Sequence, residues 1–137
     1  KQQIVGKIND AGSVARGDYP LFKGYTLFLC KTHATELHQL EQPFRDLFLH
    51  EMSLAAEAAF RAFQPEKMNY ELLGQGDNIH MHWHFFPRRK GDTPVPGPVW
   101  KLPKAEMYAD KYLPSDSELQ EMKQKLNTEL EKLLQAE

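Results

Sequence analysis

Three of the chain's six histidines fall in one short run, NIHMHWHFFPRRK, Asn78 to Lys90. His80, His82 and His84 alternate there with Met81, Trp83 and Phe85. Successive side chains of a strand point to opposite faces, so a strand over 79–86 puts all three imidazoles on one face and the apolar residues on the other. Same-face neighbours lie about 6.6–6.8 Å apart along a strand, so the three rings can line one site. Three readings compete. The first is a solvated strand face, although such a face normally carries Thr, Lys, Glu or Arg. The second is a metal site, because His-x-His presents two nitrogens to zinc, iron or copper. Further ligands are then needed, and the sequence holds neither HExxH nor a cysteine cluster. His33, His38 and His50 could join only through space. Arg88, Arg89 and Lys90 follow directly, and they repel a cation and attract an anion. The third reading is phosphoryl chemistry without a metal. Imidazole titrates at about 6.5 and is a competent nucleophile near neutral pH. Attack on phosphorus forms a phosphoramidate that water later opens. A second imidazole can hold the phosphate oxygens while a third fixes the first ring. Positioning and charge stabilisation do most of the work in phosphoryl transfer, and a strand is a rigid platform for both.

The rest of the chain must build that platform. YTLFLCKT, Tyr25 to Thr32, reads as a buried strand with Cys30 inside it. Pro43 opens a helix whose apolar stripe runs through Phe44, Leu47, Phe48, Met52, Ala55, Ala56, Ala59, Phe60 and Phe63. The helix ends near Phe63, before Gln64-Pro65. KMNYELLG and the histidine run flank a small polar segment around Gly74–Asn78, which predicts an antiparallel hairpin. Trp83 and Phe85 then belong to the core. The first twenty residues are mixed. KQQIVGKIND reads as a short strand and a turn, and SVARGDYPLFKG reads as loop through Gly17, Pro20 and Gly24. RRKGDTPVPGPVWKLP, with Pro94, Pro96, Pro98 and Pro103, predicts a rigid but irregular excursion. Its Trp100 is assigned to core packing ahead of a role covering the site or a dimer interface. SDSELQEMKQKLNTELEKLLQ predicts a last helix capped by Ser115 or Ser117, with Leu119, Met122, Leu126, Leu130 and Leu133 or Leu134 on its apolar side.

A length of 137 residues implies one domain, able to bury roughly two-thirds of its unfolded surface without staples. The net charge of −2 argues against a general nucleic-acid binder. With Cys30 the sole cysteine there is no intrachain disulfide, which fits a reducing compartment. No run approaches the ~18 apolar residues of a membrane span, and no secretory signal is visible. A cytoplasmic protein with neither a membrane nor a nucleic-acid partner is expected.

The run His80-Met81-His82-Trp83-His84-Phe85-Phe86 resembles the histidine-triad motif of the HIT family of nucleotide hydrolases and transferases, at all seven positions. Pro87-Arg88 continues the likeness. FKGYTLFLCKTHATELHQL resembles the family's glycine, strand, Lys-x-His and leucine-repeat segment, and KMNYELLG its preceding strand. The alignable part covers roughly 14–90. The resemblance implies an α+β fold: a mostly antiparallel sheet packed on the Pro43–Phe63 helix. A HIT-like domain would span 1–105, and a C-terminal helical extension, 106–137, would pack on or beside it. It implies that His82 is the nucleophile at an α-phosphorus, that His84 holds the α-phosphate, and that His80 orients its neighbour. Asn69 falls where the family often has an amide side chain near the phosphate or the scissile oxygen. Gly76 and Asn78 belong to a loop whose backbone N–H groups could line the site. As a charge run, Arg88, Arg89 and Lys90 are either a solvated strand end or a site for the distal phosphate of a dinucleotide. His33 is either a structural histidine near the site or a surface residue. Many members carry histidine where this chain has Tyr25. Many also place Asp or Asn some eight residues earlier for the ribose, and Asp18 lies seven before Tyr25. The zinc-binding cysteines of some members are missing, so neither metal nor other cofactor is expected. The implied activity is hydrolysis or nucleotidyl transfer at the α-phosphate of a dinucleoside polyphosphate or nucleoside phosphoramidate, by a homodimer. The alternative is a nucleotide-binding regulatory module with little turnover, which Tyr25 favours.

Overall fold

The structure, a computed structural model, describes residues 4–7, 11–17, 20–74 and 80–137. Five strands form one antiparallel sheet: β1 (Ile4–Lys7), β2 (Gly12–Arg16), β3 (Thr26–Cys30), β4 (Lys67–Leu72) and β5 (His82–Arg88). Their order across the sheet is β1-β2-β3-β5-β4. The histidine strand β5 therefore lies between β3 and β4. Its register sets Leu27 and Glu71 on either side of His84, Leu29 beside His82, and Asn69 beside Phe86. Period-two alternation then gives β5 two unlike faces.

One face packs on α1 (Phe44–Phe63). Phe28, Phe85, Met68, Met81 and Val14 from the sheet meet Phe48, Ala55, Ala56 and Ala59 of the helix in one cluster, and Trp83 packs against its edge. The four small alanines at 55, 56, 58 and 59 are fully buried, which lets the helix backbone lie close to the sheet. Gln64 ends the helix in the left-handed region at φ 49, its N–H bonded to the Phe60 carbonyl, and Pro65 cannot continue the ladder. Phe60, placed in the apolar stripe by spacing, is 44% exposed instead, because the stripe is wider than the surface the sheet offers.

A short α2 (Lys104–Met107) precedes α3 (Asp116–Gln135). Ser115 is the cap: its hydroxyl accepts from the Glu118 N–H, and the Glu118 carboxylate accepts from the Ser115 N–H. Leu126, Leu130 and Leu133 of α3 enter the same cluster as α1. Burying a leucine side chain stabilises by about 1.5–3 kcal/mol, so α3 is integral to the core it covers.

The opposite face carries a second cluster of Ala15, Phe22, Tyr25, Leu27 and Phe86, covered by Val99 and Met107. The proline-rich segment thus folds back over the Phe86 end of the histidine row. At the other end His80 is exposed and His82 half-buried. Among the described residues no helix is long and apolar enough to cross a membrane.

Several expectations give way. Gly12–Arg16 is a strand, not loop; flanked by β1 and β3, it is held by ladder hydrogen bonds that its Gly, Ser and Ala do not advertise. The strand read from Tyr25 begins at Thr26, since the Tyr25 N–H closes a turn onto the Phe22 carbonyl at 2.9 Å. β5 starts at His82, so His80 stands before it, although Met81 is still tied by backbone bonds to Cys30 and Ala34. Trp100 is 61% exposed and is not core.

Candidate functional site

β5 lines up His82, His84, Phe86 and Arg88 on the face away from α1. The His82 and His84 rings are 4.7 Å apart, tilted by 52°. The His82 Nδ1 lies 2.9 Å from the His80 carbonyl oxygen. A carbonyl only accepts, so Nδ1–H donates, and a neutral His82 carries its lone pair on Nε2. His80 thus touches His82 through its backbone and not through its ring. The His80 ring donates from Nδ1 to the Cys30 carbonyl at 3.0 Å. The His33 ring stands 5.2 Å from it, which places His33 at the mouth of the site.

His84 is deeper. Burial first, and the neighbouring His82 second, push its pKa from 6.5 down to about 4. It is therefore neutral at pH 7. Its Nδ1 lies 2.6 Å from the Tyr25 hydroxyl. A phenol donating to Nδ1 leaves the imidazole proton on Nε2. That Nε2 is buried and has no partner among the described residues. Buried polar atoms are nearly always paired, so an unmatched N–H beside the His82 ring suits an incoming anion.

Tyr25 is held for this contact. It is 6% exposed and stacks on Phe86 at 4.3 Å and 15°. Two glycines make room. A Cβ at Gly17 would fall 2.2 Å from the Tyr25 ring, and Gly24 turns the chain at φ 87 against the Phe63 ring. The imidazole that the family resemblance led one to look for is thus replaced by a phenol reaching the third histidine of the triad.

Asn69 sits across from Phe86 on β4. Its Oδ1 accepts from Arg88 Nη1 at 3.0 Å, which leaves the amide nitrogen as its free end among the described residues. Arg88 does not match the role expected of it. Its Nε and Nη2 bond the two Asp92 oxygens at 2.7 and 3.1 Å, Nη1 also reaches the Gly97 carbonyl at 2.8 Å, and Nη2 also reaches Thr93 at 3.4 Å. With Asn69 included, all five guanidinium N–H groups are engaged within the chain. Burial alone would raise the Asp92 carboxyl, but bonds from Arg88 and the backbone outweigh it and hold the group below its usual range. Arg88 clamps the proline-rich segment to the sheet and has no donor left for a distal phosphate. Arg89 is likewise tied to the Lys23 and Phe63 carbonyls, at 3.2 and 2.8 Å. Asp18, Gly76 and Asn78 lie outside the described residues.

Sequence reasoning passed over Glu71. It pairs with His84 across β4 and β5, on the same face. Burial raises its pKa, against the opposing pull of Arg88 and of a hydrogen bond from the Trp100 indole. Asn69, Glu71 and Trp100 line an open groove of about 940 Å³ along β4. The alternation in KMNYEL already put Asn69 and Glu71 on one face; what was missing was the register. Among the described residues no three His, Cys, Asp or Glu side chains are placed to hold a metal ion.

Comparison with known proteins gives a consistent answer. The family model described as HIT domain matches residues 2–91. A histidine triad protein from Bradyrhizobium japonicum superposes with a TM-score of 0.76 at 22% identity, over 94% of this chain and 90% of that one. A histidine triad protein from Marinobacter aquaeolei VT8 gives 0.76 at 24%, over 96% and 90%. A hypothetical histidine triad nucleotide-binding protein from Sulfolobus tokodaii strain7 gives 0.66 at 17%, over 97% and 86%. At these identities the structural likeness speaks for the fold. No curated protein matches the chain.

Proposed function

The chain belongs to the HIT-domain family, and from that premise we propose that it is a nucleotide hydrolase or nucleotidyltransferase acting at an α-phosphate. The observation that carries this reading is that both Nδ1 atoms on this face of β5 are engaged, His82 with the His80 carbonyl and His84 with the Tyr25 hydroxyl, which leaves the Nε2 atoms of two rings 4.7 Å apart for a substrate. On this reading His82 offers a lone pair on Nε2 and His84, with Tyr25 donating to its Nδ1, offers an N–H. In the first half-reaction His82 Nε2 attacks the α-phosphorus and the bond to the leaving group breaks. The His84 Nε2–H donates to a non-bridging oxygen, where charge accumulates. In the second, water attacks the phosphorus and the electron pair of the P–N bond returns to His82. Each displacement inverts phosphorus, so the net outcome is retention. The substrate class is a nucleotide whose α-phosphate carries a second group: a dinucleoside polyphosphate or a nucleoside phosphoramidate.

A panel of diadenosine polyphosphates and an adenosine phosphoramidate tests the reading by release of mononucleotide. His82→Ala should abolish turnover while nucleotide binding persists. A variant turning over near the wild-type rate would refute the nucleophile assignment. His84→Ala should be slow rather than dead, by about 10²–10⁴-fold. Tyr25 keeps a second reading open, a nucleotide-binding regulatory module, which binding without release on every substrate would support. A homodimer is part of the proposal. β4 is an edge strand, and Tyr70, Leu72 and Leu73 beside it are exposed together with Phe60 of α1. Unpaired edges with apolar cover are natural pairing sites. Sedimentation equilibrium decides it.

A further inference from the structure

The nucleophile and the phosphate holder leave one chemical task unassigned. A leaving group that departs as an alcohol or an amine needs a proton, and the attacking water must later lose one. His84 cannot supply the first, because its proton is the phosphate contact, and His82 is the nucleophile. Glu71 is the carboxyl group placed for both transfers. Residues directly opposite on paired strands have Cβ atoms about 4.5–5.5 Å apart, so Glu71 stands beside His84 on the phosphate face, on the side away from β3. Glu71 and, from the covering segment, Trp100 line the same groove. The other two carboxylates of the groove are committed elsewhere. Asp92 is bound to Arg88, and Glu66 accepts from the Lys90 backbone N–H at 2.9 Å. The cations lining the groove are no better placed as acids: Arg88 is engaged throughout, Arg89 donates to the Lys23 and Phe63 carbonyls, Lys67 donates to the Met68 carbonyl, and Lys90 lies past the Arg88 end of β5, away from His84.

We propose that Glu71 is the catalytic acid and base of the leaving-group side, and that the β4 groove under Trp100 receives that group. This rests on the nucleotide-transfer reading above. In the first half-reaction the P–O or P–N bond breaks as the Glu71 carboxyl proton passes to the departing oxygen or nitrogen. In the second the Glu71 carboxylate takes a proton from water as its oxygen bonds phosphorus, and the His82–P bond breaks. Each cycle returns both residues to their starting states. A partly buried carboxyl with raised affinity for its proton is suited to such work.

Single-turnover release of the leaving group from two adenosine monophosphate derivatives tests this in Glu71→Gln. One is an alkylamine phosphoramidate, whose amine must leave protonated. The other is a p-nitrophenyl ester, whose phenolate leaves as a stable anion. Amine release should fall by about 10²–10⁴-fold and nitrophenolate release by no more than about threefold. Glutamine keeps the shape, and circular dichroism and melting check that the fold is intact. Equal losses on both substrates, or no loss on either, overturn the assignment while leaving the His82 mechanism standing. A wild-type chain that releases neither group overturns the transferase reading itself, and Glu71 with it.

Discussion

Replacing Tyr25 by phenylalanine removes one oxygen and keeps the ring that stacks on Phe86 at 4.3 Å. The hydroxyl lost is the one 2.6 Å from His84 Nδ1. A buried acceptor left without its donor costs about 1–3 kcal/mol. Unfolding entropy near 2.1 cal/mol/K per residue makes 1 kcal/mol worth about 3–4 °C in Tm for a chain of this length. Tyr25→Phe should therefore melt about 3–10 °C lower. His84 would also lose the contact that keeps its proton on Nε2. If the same energy is felt in the transition state, kcat falls by roughly tenfold and by no more than about 10²-fold. Nitrogen-15 shifts of the His84 ring give the direct assay. The wild type should show an unprotonated Nδ1 at pH 7, and Tyr25→Phe a mixture of tautomers. A wild-type ring protonated on Nδ1 would refute the reasoning. So would a variant with Tm and kcat unchanged.

Other consequences can be measured separately. His84 titrates at about 4 when folded, against 6.5 as its reference. The unfolded chain therefore binds a proton before the folded one does as pH falls. Stability contributed by this group is full above 6.5 and is lost progressively down to about 4. The loss amounts to at most about 3 kcal/mol. Urea unfolding of the wild type and His84→Gln at pH 7 and pH 4.5 should show a smaller drop in the variant, and equal drops would contradict the assignment. Arg88→Lys breaks a partly buried two-point contact with Asp92 and should cost about 2–4 kcal/mol. Thermal melting reads that loss, and a shift under about 2 °C would argue against the clamp. Leu130→Ala should cost about 2–5 kcal/mol in chemical denaturation if α3 shares the main core, and under 1 kcal/mol if it is an appendage.

Much of the platform was legible because its signals are local. The His-x-His-x-His run announced a two-faced strand, the alanine- and phenylalanine-rich stripe announced α1, and the serines at 115 and 117 announced the start of α3. β2 escaped notice because Gly12, Ser13 and Ala15 carry no strand preference of their own; its neighbours on both sides impose the conformation. Trp100 was misplaced for a related reason. Hydropathy favours burying an indole, but not where the segment carrying it lies over an open groove.

The chemistry divides along the same line. Period-two alternation is a property of each strand alone, so sequence sufficed to set His82 and His84 on one face and Trp83 and Phe85 on the other. The protonation state and the partners of those histidines are not local. Tyr25 is 59 residues from His84 in the chain, and only the pairing of β3 with β5 brings phenol to imidazole. The same holds for Arg88: its adjacent charges in sequence left a phosphate site and a solvated strand end both open, and Asp92, Thr93, Gly97 and Asn69 together use every donor. It holds for Glu71, which becomes a neighbour of His84 only once the register of the hairpin is set. Residue types and spacing determined which side chains could act. Register, burial and hydrogen bonding across the sheet decided which ring nitrogens are engaged, which are left without a partner, and which charges are already taken.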